Sequence, residues 1–211
     1  MVDFDANMHI FRSPTFRGAV EEAVDFFANT PVHTVPPPDD PRFIGPGVYA
    51  LYYLGDYELY GNLTQLNRST CVHPIYAGKA VPLGWRTARV SLSESKELFH
   101  RLNQHAASIQ QGADLYLDDF RCRFMILNDI ESDLVGPVEA ALIRKYRPLW
   151  NSVVDGFGNH DPGKGRYNQA KSQWDVLHPG RYWAERLTGA SPGREDVIRE
   201  VSRALDELLL P

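Results

Sequence analysis

Two short apolar runs, each with a tyrosine at an unusual place, constrain this chain most. Residues 46–53, Pro-Gly-Val-Tyr-Ala-Leu-Tyr-Tyr, read as a strand with Tyr49 near its start. Residues 73–77 read as a second strand, with Tyr76 near its end and a tight turn at Ala77-Gly78-Lys79. A strand that only builds a core rarely ends on Tyr-x-Gly-Lys and then runs into Gly84-Trp85-Arg86. Residues 120–127 give a third strand, alternating at first and then continuously apolar. A helix over 93–111 follows the capping-box pattern Ser91-Leu92-Ser93-Glu94, with a competing cap at Ser93, and Gly112 ends it. A helix over 137–146 has Pro137 in its first turn, and Pro148 closes it. The order is strand, strand, helix, strand, helix.

The flanks differ in texture. Val20, Val24 and Phe27 repeat at helical spacing over 16–27, and Pro31 stops that helix. Pro36-Pro37-Pro38-Asp39-Asp40-Pro41 is a stiff, extended connector. Gly55 to Arg68 is polar. After Asn151, residues 156–166 form a long loop rich in Gly, His and Arg, of the kind that more often carries function than builds core. A last helix over 194–209 carries Val197, Ile198, Val201, Leu205 and Leu208.

Over 211 residues, 43% hydrophobic and 23% charged composition supplies one sizeable core. No apolar run approaches the ~20 residues needed to cross a bilayer. The acidic start Met1-Val2-Asp3-Phe4-Asp5 does not read as a secretory leader, and Cys71 and Cys122 lack CxxC spacing. A cytoplasmic protein with reduced thiols and no membrane partner is expected. The net charge of −5 is unevenly spread. Residues 1–78 hold 4 basic and 9 acidic side chains, 79–101 hold 5 and 2, and 144–181 hold 7 and 3. Phosphate binding needs local positive potential rather than a basic total. The same distribution also suits an uneven solvated surface.

The polar residues that the core does not absorb are Tyr49, Tyr76, Arg101, His105, Glu139 and Asn151. Arg101 and His105, four apart, share a helix face; with Glu97 four before Arg101, a surface ion pair beside a solvated histidine is the commoner reading of that spacing alone. Glu139 has Val135, Leu142 and Ile143 as its helical neighbours, so no local cation answers it. A carboxylate on a partly apolar stripe must be paired, bind a metal or take a raised pKa. Asn151 after Pro148-Leu149-Trp150 reads on its own as a turn residue.

Taken in order, the set resembles the GIY-YIG nuclease family. Gly47-Val48-Tyr49 matches the first motif and Tyr76-Ala77-Gly78 the second, each with its central isoleucine replaced. Arg101, Glu139 and Asn151 match the family's arginine, metal-binding glutamate and asparagine. The tyrosines are separated by 26 residues, so about 55–72 looks like an insertion. His105 one turn after the arginine, and the tail segments 158–166 and 174–181, resemble the type II restriction endonuclease branch, and in particular enzymes that cut CCGCGG.

The resemblance implies an α+β fold. Its core, over 46–152, is a small, mostly antiparallel three-stranded sheet flanked by helices. An N-terminal helical arm (1–45) and a loop-rich C-terminal extension (153–211) complete one compact unit. It implies Mg²⁺-dependent hydrolysis of double-stranded DNA at a short G·C-rich palindrome by a homodimer, with a cognate methyltransferase as functional counterpart rather than bound partner. Tyr49 then accepts a proton from water with help from His105. Tyr76 positions water or phosphate, Arg101 neutralises the phosphorane, Glu139 holds one Mg²⁺, and Asn151 orients Glu139 or the phosphate. Lys79, Arg86, Arg89, Lys164, Arg166, Gln169, Lys171 and Arg181 are candidate DNA contacts, since arginine reads guanine in the major groove and most other contacts go to phosphate. Three alternatives stay open: a structure-specific repair nuclease on the same core, a non-catalytic DNA-binding protein, and an HNH-like metal site at His160, Asn168 and His178.

Overall fold

The computed structural model describes residues 4–38, 43–85 and 95–209. The capping box at 91–94 and the candidate contacts Arg86 and Arg89 lie outside the described residues. Four antiparallel strands form one sheet in the order β1-β4-β2-β3. They are β1 (His33–Thr34), β2 (Gly47–Tyr53), β3 (Tyr76–Ala80) and β4 (Phe120–Ile126). The sheet thus has one strand more than expected, because the chain after the first helix pairs briefly with β4. β3 also begins later than the sequence predicts, so Tyr76 opens the strand and Lys79 lies within it.

Every residue of β2 is buried. Period-two alternation sends Val48, Ala50 and Tyr52 to one face and Tyr49, Leu51 and Tyr53 to the other. The first face meets α1 (Pro14–Ala28) and α4 (Val135–Tyr146) through Val24, Phe27, Val135, Val138 and Leu142. The second face meets α3 (Glu97–Gln111) through Leu98, Leu102 and Ile109. The C-terminal extension joins that same core. Trp174 and Leu177 come from α6 (Gln173–Leu177), and Val197, Val201 and Leu205 from α7 (Arg194–Leu208).

The polar stretch after β2 is more ordered than its composition suggests. It forms a 3₁₀ turn over Glu58–Tyr60 and then α2 (Gly61–Asn67). Asn67, 1% exposed, ties its two ends together. Its amide nitrogen donates to the carbonyls of Tyr53 (3.2 Å) and His73 (2.9 Å), and its oxygen accepts from the backbone of Val72 (3.1 Å) and His73 (2.9 Å). Every hydrogen-bonding site of that buried amide is used, as burial requires.

At the end of α4, Arg147 takes the left-handed conformation (φ 42°). The chain then turns into α5 (Leu149–Ser152), which covers the outer edge of β3. Trp150 N–H donates to the Ile75 carbonyl at 2.8 Å, so the sheet edge is not left open.

Beneath α5, Trp150 Nε1 donates to Tyr60 Oη (3.0 Å), and that hydroxyl lies 2.6 Å from His178 Nε2. An indole N–H can only donate, so the tyrosine proton is free to go to the imidazole. Burial pushes the His178 pKa from 6.5 down to about 3. The unfolded chain takes up this proton near pH 6.5, and the folded chain only near pH 3. Stability is therefore lost as pH falls through that window. In urea unfolding at about pH 4–6, His178→Gln should reduce the slope of stability against pH by about one proton, about 1.4 kcal/mol per pH unit. An unchanged slope would mean that His178 is not a neutral core residue.

Candidate active site

Strand register creates the centre of the site. Tyr49 on β2 stands opposite Gly78 on β3, and Leu51 opposite Tyr76. Tyr49 and Tyr76 are therefore diagonal neighbours on one face, with ring centroids 6.2 Å apart. Gly78 makes this possible, because a Cβ there would lie 2.5 Å from Tyr49 Oη. The second motif needs its glycine so that the first motif's phenol can lie across the strand.

α3 brings the next groups. His105 is on the buried stripe with Leu102 and Ile109, and its Nε2 is 2.6 Å from Tyr49 Oη. The ring of Phe157, from the loop after α5, stacks on the imidazole at 4.6 Å and 16°. Tyr76 meets the same imidazole edge-on at 5.2 Å. Arg101 sits one turn earlier at the rim. Its guanidinium donates to Gln104 Oε1 (3.2 Å), to the Gly158 carbonyl (3.3 Å) and to His160 Nε2 (2.6 Å). Glu97 is not the partner that helical spacing offered.

The electrostatics follow from burial beside a cation. Burial raises the Tyr49 phenol well above its ordinary pKa, the neighbouring Tyr76 adds to this, and Arg101 opposes it. Tyr76 is raised mainly by burial, with Arg101 again opposing. His105 is held well below its ordinary value, first by burial and then by Arg101, His160 and Arg181. The imidazole next to Tyr49 is therefore neutral, with Nε2 able to accept the phenol's hydrogen bond.

Glu139 lies on the α4 side of β3, and the cation that its own helix lacks comes across the sheet. Lys79 on β3 forms an ion pair with it. The carboxylate is close enough for its charge to help raise the Tyr76 phenol. The candidate residues thus gather around the β3 edge, with Tyr49, Tyr76, Arg101 and His105 on one side and Lys79 and Glu139 on the other.

Asn151 departs from its expected role. Its oxygen accepts from Ala77 N–H (2.7 Å) and its nitrogen donates to the Ala77 carbonyl (2.8 Å). Both ends of the amide are committed to the backbone between Tyr76 and Gly78. Asn151 extends the sheet like one residue of a further strand, and neither of these hydrogen bonds goes to Glu139.

Arg181 is a second correction. Its guanidinium is buried, 1% exposed, and cannot reach DNA in this state. It pairs with Asp175 at 2.6 Å and donates to the carbonyls of Gly156 (2.9 Å), Phe157 (3.1 Å) and Asn159 (3.3 Å). The rings of Trp174 and Trp183 lie 4.3 and 4.7 Å from it. Lys164, Arg166 and Gln169 are exposed on the tail, while Lys171 pairs with Glu185 at 2.7 Å.

The HNH-like alternative fails on placement. His178 is sealed in the core against Tyr60, and His160 is bound to Arg101. No group of three or more metal-ligating His, Cys, Asp or Glu side chains occurs among the described residues. Phe157 and the Arg101–His160 contact were not legible as site features. The Gly, His and Arg content of their loop was the only signal, and it does not name partners.

No helix among the described residues is long and apolar enough to cross a membrane. A comparison with curated proteins gave no match. A family model described as the Eco29kI GIY-YIG domain matches residues 41–205, a span that includes both tyrosine strands, α3, α4 and the extension through α6. With most of its length inside that match and an α+β sheet carrying the ordered motif residues, the chain belongs to the GIY-YIG nucleases of the Eco29kI restriction-endonuclease type, a family that acts on DNA.

Proposed function

We propose that the protein is a Mg²⁺-dependent type II restriction endonuclease that hydrolyses both strands of a short G·C-rich palindrome, CCGCGG being the favoured site. The observation that carries the chemistry is the 2.6 Å contact between Tyr49 Oη and a neutral, buried His105, with Arg101 on the same helix. A free tyrosinate is costly here, because the phenol is held well above its ordinary pKa. A relay concerted with attack spreads that cost: the imidazolium it forms is itself disfavoured by burial and by Arg101, and is offset by the negative charge building on the phosphoryl oxygens. As water attacks phosphorus, its proton passes to Tyr49 Oη while the phenol proton passes to His105 Nε2. Tyr76, the more open of the two tyrosines, positions the water or the phosphate. Arg101 neutralises the charge that builds on the phosphoryl oxygens.

The donor set fits magnesium. Glu139 is a single half-buried carboxylate beside the tyrosine pair, and this ion commonly keeps several waters and takes one or two carboxylates with substrate phosphate oxygens. Glu139 would hold the ion, and Lys79 would hold the carboxylate in place. When bound, the metal supplies charge neutralisation at the leaving 3′ oxygen. Lys164, Arg166 and Gln169, exposed on the tail, stay candidates for phosphate and base contacts, as do Lys171, Arg86 and Arg89.

A palindrome cut in one encounter calls for two sites related by the DNA dyad, which a twofold dimer provides. The α7 stripe is not available for it, since Val197, Val201 and Leu205 are buried in the chain's own core. The N-terminal region exposes Phe4, Met8, Phe11, Phe16 and Phe26, which makes it the better contact surface. A methyltransferase protecting the same site belongs to this reading as functional counterpart.

Three outcomes test the proposal. Glu139→Gln should abolish plasmid cleavage while leaving gel-shift affinity for site DNA nearly intact, and full activity of that variant in Mg²⁺ would end the one-metal assignment. Tyr49→Phe should lose about 10²–10⁴ in single-turnover rate, the usual worth of a general base, and still bind. A rate within a few-fold of wild type would move the base role to Tyr76 or His105. Sedimentation on a short site duplex should give two protomers per duplex, and Phe11→Asp with Phe16→Asp should reduce this to one with persistent nicked circles. One wild-type protomer per duplex, with nicks accumulating, would leave a monomer that cuts the strands in turn.

A further inference from the structure

The contact between Arg101 and His160 links α3 to the C-terminal extension across 59 residues of sequence. A guanidinium has only donors, so at 2.6 Å the Nε2 of His160 must be the lone-pair nitrogen and the proton must sit on Nδ1. Neutrality is favoured on other grounds as well. Partial burial and the nearby Arg101 and Arg181 hold this imidazole below its ordinary pKa.

The loop that presents His160 is pinned on both sides. Before it, Arg181 gathers the carbonyls of Gly156, Phe157 and Asn159. After it, Asp161 accepts from Gly163 N–H and from Tyr167 Oη, each at 2.8 Å. A second residue of the same loop, Gly158, gives its carbonyl to the other terminal nitrogen of Arg101. The arginine is thus gripped by two acceptors that are themselves held in place. A guanidinium whose orientation is set before DNA arrives needs no reorganisation when negative charge builds at phosphorus.

From this geometry we propose, resting on the nuclease reading above, that His160 is a positioning residue for Arg101. Its neutral imidazole aims the guanidinium at the scissile phosphate, so the C-terminal extension is part of the catalytic apparatus as well as a DNA-contacting appendage.

His160 is exposed, so replacing it leaves the core alone. Cleavage is followed under single-turnover conditions in Mg²⁺ at saturating enzyme, and affinity by gel shift in Ca²⁺. His160→Ala should cut the rate about 10- to 100-fold with affinity within about threefold of wild type. His160→Gln, whose amide oxygen can accept from Arg101 as Nε2 does, should return the rate to within about fivefold. Independently of activity, imidazole ¹⁵N spectroscopy of the wild-type protein should show His160 as the Nδ1–H tautomer. Three results overturn the role: an alanine variant as fast as wild type, a glutamine variant as slow as alanine, or a loss confined to affinity, which would make His160 a DNA contact. An Nε2–H tautomer overturns the contact itself, whatever the activity. A wild-type protein with the expected tautomer that cuts no duplex overturns the nuclease reading, and the positioning role with it.

Discussion

The Arg181–Asp175 ion pair is the constraint on which the site most depends. Two opposite charges are withdrawn from water between Trp174 and Trp183, and the guanidinium gives three of its remaining donors to backbone carbonyls. Removing one partner of such a pair typically costs about 3–5 kcal/mol, because the other is left buried and uncompensated. A loop bearing glycines at 156 and 158 would have little reason to hold one shape by itself. Fixed to Arg181, it delivers Phe157 onto His105 and brings Gly158 and His160 to Arg101. The buried charge pair lies outside the candidate site, yet it fixes the surroundings of His105 and Arg101.

The sheet makes a complementary contribution. Because β2 is buried on both faces, its tyrosine cannot shift register without turning an apolar face towards the wrong layer. β3 is the outer strand, and its free edge is closed by Trp150 and Asn151 rather than by a further strand. The edge is thereby rigid enough to hold Tyr76 and still thin enough for groups above and below the sheet to meet around it. Lys79 and Glu139 approach from the α4 layer, and Arg101 and His105 from the α3 layer.

The strands and main helices were legible because hydrophobic period and turn residues are local signals. β2, α3, α4 and α7 lie within a few residues of their sequence positions. The two-residue strand β1 was not legible, since its pairing with β4 is a tertiary event with no period of its own. At the site, the ordered resemblance to the nuclease family nominated Tyr49, Tyr76, Arg101 and His105 as neighbours, and the fold brings the elements that carry them together. It did not reveal what each polar end would touch. Arg181 read as a DNA contact because sequence shows a charge without its burial. Asn151 read as a site ligand because nothing local indicates that both ends of its amide face a backbone. Glu139 looked unanswered because its cation lies on another element, 60 positions away.

Asn67 has a consequence for how the two motifs are spaced. By joining the carbonyl of Tyr53 to the backbone around His73, it makes the ends of the intervening segment neighbours whatever happens between them. The pairing of Tyr49 with Gly78 then does not depend on how many residues lie in that segment. A pattern search that demands a fixed interval between the two tyrosines would discard such proteins. The quantity that matters to the tyrosine pair is which residues face each other across the ladder, and their linear distance is secondary.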